Sequence, residues 1–253
     1  MLSTSLRNLL AVPMAALALS CALPASASVI VGGTRVVYRA TDKEVTLKLT
    51  NEGQSPALTQ AWVDAGTATP TPTSIEVPFT VTPPIARIDP GKGQTLRILY
   101  TGEPLPQDKE SLFWLNVLEI PPKPSADEAG VNSLQMAFRS RFKLFFRPAG
   151  LPGSATEAPS ALRWELGSRD GKPVLVAHNP TPYHVSPVSV EVIAGEHLVK
   201  ATDLDLIAPG ASATFHLDSD VRNPAGATVR VHCINDFGGR DKFSAPLSAS
   251  GSR

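Results

Sequence analysis

Residues 134–148 read LQMAFRSRFKLFFRP. Leu134, Met136 and Phe138 alternate with Gln135 and Ala137, and Phe142, Leu144 and Phe146 keep the same parity beyond Ser140. Side chains of an extended strand repeat every two residues, so these six apolar groups project from one face of one segment. The opposite face carries Arg139, Arg141, Lys143 and Arg147. A strand with one apolar face must bury it, either in the core of its own domain or against something else. Periodicity alone favours the core.

The same short-period alternation runs through the rest of the chain. TRVVYRA, EVTLKLTN, ALTQAWVD, QTLRILYT and SLFWLNVLEI precede the opening stretch, and VLVAHN, VSVEVIA, ATFHLD and ATVRVHCIND follow it. Turn signals separate them, such as Asp89-Pro90-Gly91 and Ala208-Pro209-Gly210. Helical periodicity is nearly absent. Short strands at this spacing predict an all-β protein of two immunoglobulin-like β-sandwich domains. The run Pro148-Ala149-Gly150-Leu151-Pro152-Gly153 marks the hinge, which gives a first domain over 28–148 and a second over 149–253. No repeat relates the halves, so two different sandwiches are expected.

The N-terminus reads differently. Arg7 is its only charge, an apolar run from Leu9 to Leu19 follows, and Ala25-Ser26-Ala27 supplies small residues for a cleavage site. This describes a secretory signal peptide over 1–27, too short in its apolar part to span a bilayer. Cys21 admits a second reading as a lipid-attachment site, but Ala18-Leu19-Ser20 fits that pattern poorly. Removing Arg7 from the 23 basic residues leaves 22 against 23 acidic ones. A chain so near neutrality has no electrostatic reason to bind nucleic acid or an anionic membrane. Cys233 is the one cysteine left after the leader, so no internal disulfide is expected in an oxidising compartment. It reads as a small core residue.

Catalytic patterns are missing. His178, His184, His197, His216 and His232 show no metal-ligand spacing and no partner arranged as a catalytic motif would arrange it. There is no G-x-S-x-G, P-loop or dinucleotide-binding glycine pattern. Asp203 and Asp205 alternate on what reads as a strand, and a solvated strand face explains them better than a carboxylate pair. The expectation is a binding protein, with no enzyme activity, cofactor or metal.

The segment just upstream of the opening stretch is the most specific. LPQDKESLFWLNVLEIPPKP, from Leu105 to Pro124, resembles the signature of the periplasmic pilus chaperones in its Leu-Pro, its Asp108 to Ser111, Trp114, Asn116 and Ile120-Pro121-Pro122. GTRVVY, QAWVD, TPPIARIDPGKGQTLRI, KLFFRP, NPTPYHV and INDFGG follow the family's order and cover nearly the whole mature chain.

That resemblance implies an L-shaped pair of sandwiches in the periplasm. Such a protein binds pilus subunits by lending them a strand, then passes them to an outer-membrane usher. Aligned back from KLFFRP, the donated residues are Leu134, Met136 and Phe138, while Phe142, Leu144 and Phe146 face the protein's own core. Arg35 and Lys143 map onto the pair that captures the subunit's C-terminal carboxylate. Glu110, Arg147 and Asp236 map onto a charge cluster between the domains. The loop IPPKPSADEAGVNS before Leu134 favours the short-loop type, which assembles thick adhesive pili. Self-association of the free protein through its donor strand stays open. The alternative is a structural fimbrial or adhesin-like sandwich, but such subunits usually carry one domain, a cysteine pair and an N-terminal donor extension.

Overall fold

The computed structural model of the chain describes residues 28–66, 77–123 and 135–248. The leader, Leu134 and most of the loop before it lie outside the described residues. The first sandwich contains β1 (Val29–Val31), β2 (Arg35–Arg39), β3 (Val45–Asn51), β4 (Ala57–Asp64), β5 (Phe79–Thr82), β6 (Ile85–Ile88), β7 (Gly93–Tyr100), β8 (Ser111–Ile120) and β9 (Phe138–Arg147). Its sheets run β1-β3-β7-β5 and β2-β9-β8-β4-β6. The second contains β10 (Arg163–Arg169), β11 (Lys172–His178), β12 (Pro187–Ala194), β13 (His197–Thr202), β14 (Ser212–Leu217), β15 (Thr228–Ile234) and β16 (Arg240–Ser248). Its strands join edge to edge in the order β10-β11-β14-β13-β12-β15-β16, with β16 returning parallel to β10. The expected second sandwich therefore closes on itself, though only through short bridges of two residues each between β10 and β16 and between β13 and β14. Among the described residues no helix is long and apolar enough to cross a membrane.

Alternation sets each core. Leu47 and Leu49 of β3, Leu96 and Ile98 of β7, Leu115 and Val117 of β8, and Leu144 and Phe146 of β9 meet between the first pair of sheets. Trp164, Leu175, Val192, Phe215, Val229 and Val231 do the same in the second. Cys233 belongs to this second core at 2% exposure, and burial pushes its thiol pKa up to about 12, so it packs as a small apolar group rather than a nucleophile. Each sandwich also pins its loops with one fully buried asparagine. Asn51 Nδ2 donates to the carbonyls of Ser55 and Ile88 at 2.9 and 2.8 Å, and Asn179 Nδ2 donates to those of Tyr183 and Ala208 at 2.7 and 3.1 Å. Such groups satisfy backbone carbonyls that the sheets cannot reach.

One local expectation fails. Asp203 and Asp205 are not on a strand: β13 ends at Thr202, and Asp203 turns the chain with a φ of 53°. Aspartate tolerates this left-handed conformation better than most residues, and alternation over two positions is too short to distinguish strand from turn.

β9 divides into two halves. From Lys143 to Phe146 it has β2 on one side and β8 on the other, and β2 continues to Arg147. From Phe138 to Phe142 it has β8 alone, and among the described residues its outer edge has no strand partner. Burial follows this division: Leu144 and Phe146 are 0% and 1% exposed, whereas Met136 and Phe138 are 53% and 59% exposed. Phe142 stands between, packed against the core but only half-buried. Truncating Leu144 to alanine should therefore cost about 2–5 kcal/mol of unfolding free energy in denaturant titrations. Phe138→Ala should stay within about 0.5 kcal/mol of the unmodified protein. Equal losses would place both residues in one core.

Candidate functional site

The site begins where the first strand changes sheets. β1 pairs with β3, and Gly32 and Gly33 then turn the chain so that β2 joins the other sheet. A Cβ at Gly32 would lie 3.2 Å from the Lys48 carbonyl oxygen, so the turn fits tightly against β3. The switch lays β2 parallel to β9 with Arg35 opposite Lys143 and Arg39 opposite Arg147. Lys143 in turn pairs with Trp114 of β8, and Trp114 with Asp64 of β4. Laterally paired residues share a face, so Arg35, Lys143, Trp114 and Asp64 form one row across the outer face of the sheet.

Trp114 is the platform of that row. The Arg141 guanidinium lies 4.7 Å and the Lys143 ammonium 5.9 Å from its ring centroid, within the range of cation–π attraction. Arg141 also donates at 3.0 Å to Asp64, which is 1% exposed and takes a second bond of 2.6 Å from Asn116 Nδ2. Arg35 reaches the other way, into the second sandwich. Its Nη1 donates to the Ile234 carbonyl at 2.9 Å and to Ser186 Oγ at 3.4 Å, and its buried Nε has no partner among the described residues.

The two cations are electrostatically unbalanced. Among the described residues no carboxylate lies within ion-pair range of Arg35 or Lys143. Burial lowers the pKa of both, against the more distant charges of Asp236 and Glu110 at Arg35, and Arg35 lowers that of Lys143 further, with Asp205 opposing. Two desolvated like charges destabilise the free fold and favour an anion that comes to neutralise them.

Charges are matched four residues further along β9. Arg147 Nε donates to Glu110 at 2.6 Å, and its Nη1 and Nη2 donate to the two oxygens of Asp236 at 2.7 and 3.0 Å. Burial works against the Arg147 charge, but the bonds and charges of Asp236 and Glu110 raise its pKa overall. Arg147 comes from the end of β9, Glu110 from just before β8 and Asp236 from just after β15, so the cluster joins the two sandwiches. The Glu110 amide also donates to the Pro182 carbonyl at 2.9 Å.

Sequence reasoning missed two members of this interface. His184 gives Glu110 a backbone N–H bond of 2.8 Å and brings Nδ1 to 3.2 Å from the same oxygen, so this histidine does have a carboxylate partner. NPTPYHV contained it, but the partner is 74 positions away and no local pattern reveals that. Phe145 lies on the charged face of β9, yet it is 3% exposed because it packs against the His184 ring at 5.3 Å. The Phe145-Phe146 doublet was the signal, since two adjacent large apolar residues in a strand require burial on both faces.

The same geometry bears on acyl-transfer chemistry. Ser186 lies near His184, but its Oγ meets Arg35 and makes no hydrogen bond to the imidazole among the described residues. His178 and Ser212 do approach at 3.1 Å, with no carboxylate on that ring among the described residues. Among the described residues, nucleophile, base and orienting acid are not joined in one set.

The two adjoining sandwiches thus carry, among the described residues, an open strand edge on β9 and, beside their junction, two basic side chains with no carboxylate in ion-pair range. The sequence matches the family model of the pili and flagellar-assembly chaperone PapD N-terminal domain over residues 28–152, and that of the pili assembly chaperone PapD C-terminal domain over 157–245. The chain belongs to this pilus-assembly chaperone family. It is 45% identical to the chaperone protein FimB/FhaD of Bordetella pertussis over 92% of this chain and 94% of that protein. It is 44% identical to the probable fimbrial chaperone YadV of Escherichia coli (strain K12), over 87% and 90%. Among solved structures, the YadV chaperone matches with a TM-score of 0.74 at 40% identity, covering 87% of this chain and all of that one. A Salmonella enterica structure of the SafA pilin in complex with the SafB chaperone matches at 0.72 and 30% identity, over 89% and 99%.

Two outcomes test the charge arrangement. Arg147→Met should cost about 3–5 kcal/mol in unfolding experiments, because it leaves Glu110 buried without its counter-charge. Lys143→Met should instead raise stability at neutral pH. Between its lowered folded pKa and the ordinary value of 10.5, the unfolded chain holds a proton that the folded chain has released, so the lysine's penalty fades as pH rises. The stability advantage of Lys143→Met, measured against the unmodified protein, should shrink towards pH 10.5. A constant difference would mean that Lys143 is not desolvated in the fold.

Proposed function

We propose that this protein is a periplasmic chaperone that holds pilus subunits by donating the upstream half of β9 and by gripping the subunit's C-terminal carboxylate with Arg35 and Lys143. The carrying observation is that Phe138–Phe142 has a backbone edge unpaired among the described residues, and that Phe138 and, just upstream, Met136 are exposed. A partner strand added there would gain main-chain hydrogen bonds, while Leu134, Met136 and Phe138 fill its groove. Each large apolar side chain so buried contributes roughly 1.5–3 kcal/mol. The carboxylate supplies the charge that the basic pair lacks, with the arginine fork matching two oxygens and the lysine adding a compact charge.

On this reading 1–27 is the cleaved leader, 28–148 the donor domain and 149–253 the second domain. Glu110, Arg147 and Asp236 hold the angle at which the cleft receives the carboxylate. The partners are pilus subunits and the outer-membrane usher that takes them on, and the short-loop type remains the favoured subtype. Binding of this kind calls for no nucleotide, since one strand replaces another.

A subunit-derived C-terminal peptide with a free carboxylate should bind about tenfold to a hundredfold more tightly than its C-terminal amide, each charge-assisted bond being worth roughly 1.5–3 kcal/mol. Arg35→Ala should abolish that preference while leaving the protein folded. Equal affinity for acid and amide in calorimetric titrations would mean that Arg35 and Lys143 do not hold the carboxylate.

A further inference from the structure

The turn joining β15 to β16 carries a side chain with no role so far. Phe237 is 94% exposed, well beyond Phe138. Single exposed apolar residues are ordinary on protein surfaces, but this one is held on a heavily bonded turn. Asn235 Oδ1 accepts from the amides of Phe237 and Gly239 at 3.0 and 2.9 Å. The Asn235 amide donates to the Gly239 carbonyl at 2.9 Å, and the Gly238 amide to the Asn235 carbonyl at 3.0 Å. Asp236, the preceding residue, is fixed by Arg147, and the Ile234 carbonyl by Arg35.

Register gives the turn its place in the cleft. Gly238 has a φ of 83°, and a Cβ there would lie 2.6 Å from Thr34 Oγ1, so no larger residue fits and the turn rests directly on Thr34. Because β2 runs parallel to β9 with Arg35 opposite Lys143, Thr34 is level with Phe142, where the open half of β9 begins. A strand running along that open edge, with its carboxylate at Arg35 and Lys143, brings its last side chains to this level.

We propose that Phe237 is the apolar contact for the final side chains of the bound subunit, so that the site selects a C-terminal segment ending in large apolar residues as well as its carboxylate. This rests on the carboxylate-anchor reading, and a peptide comparison separates the two. The probes are synthetic peptides of alternating valine and threonine, ending either in phenylalanine or in serine, each as free acid and as amide. Phe237→Ser should keep its melting temperature, because the ring is already in solvent. It should bind the phenylalanine-ended acid about fivefold to tenfold more weakly than the unmodified protein does, and the serine-ended acid equally well. Phe237→Tyr should restore affinity for the phenylalanine-ended acid. If Phe237→Ser matches the unmodified protein on that peptide while amides still bind more weakly, the apolar contact is overturned and the anchor survives. If acids and amides bind alike, the anchor reading fails first, and failure of every acid to bind counts against both.

Discussion

Five residues of parallel pairing, Arg35–Arg39 on Lys143–Arg147, govern most of what this molecule presents. By ending at Arg35 the pairing leaves Phe138–Phe142 with one neighbour instead of two. By its register it sets the two unmatched cations side by side. It also forces the pleat of β9 to serve three environments: Leu144 and Phe146 enter the core of the first sandwich, Phe145 packs into the junction, and Arg147 crosses to the second. A shift of one residue would exchange these faces, burying Lys143 and Phe145 in the core and expelling Leu144. The Gly32-Gly33 turn that admits β2 to this sheet is therefore as consequential as any charged residue.

Charge is divided unevenly along that strand. At its downstream end Arg147 is matched by Glu110 and Asp236, while at Lys143 no carboxylate among the described residues is within ion-pair distance. Matched buried charges contribute little net stability, because desolvation offsets attraction, but they penalise any geometry that separates them. Unmatched ones carry a standing penalty that an arriving anion removes. The first arrangement suits a junction that must keep its angle, and the second suits a place where something negative is to be held.

Period-two alternation was enough to read most of the longer strands and the division into two sandwiches, because one buried face imposes its pattern on the sequence directly. The short strands Val29–Val31, Phe79–Thr82 and Ile85–Ile88 were not legible, since three or four residues hold too few repeats and TPPIARI hides its alternation among prolines. Arg163–Arg169, His197–Thr202 and Arg240–Ser248 escaped for another reason: RWELGSR and RDKFSAPLS are mostly polar, and HLVKAT is half polar. In the site, Arg35, Lys143, Glu110, Arg147 and Asp236 were reached by resemblance, because residues 35 and 143 meet only through strand register. His184 and Phe145 were not reached, being defined by contacts across the junction.

An open edge with exposed apolar side chains is also a liability, since any free strand can pair with it. The exposed row is short, Arg139 and Arg141 charge the opposite face of the strand, and pairing with β2 closes the edge from Lys143 onwards. These features limit what an incidental strand can gain, because it finds a few apolar side chains and then meets two cations. A strand that ends in a carboxylate at that point gains both terms, whereas one that continues must desolvate uncharged backbone beside Arg35 and Lys143. On the proposed reading, discrimination between a pilus subunit and a second copy of this chain therefore lies less in the apolar row than in the requirement that the visiting strand terminate at the cleft.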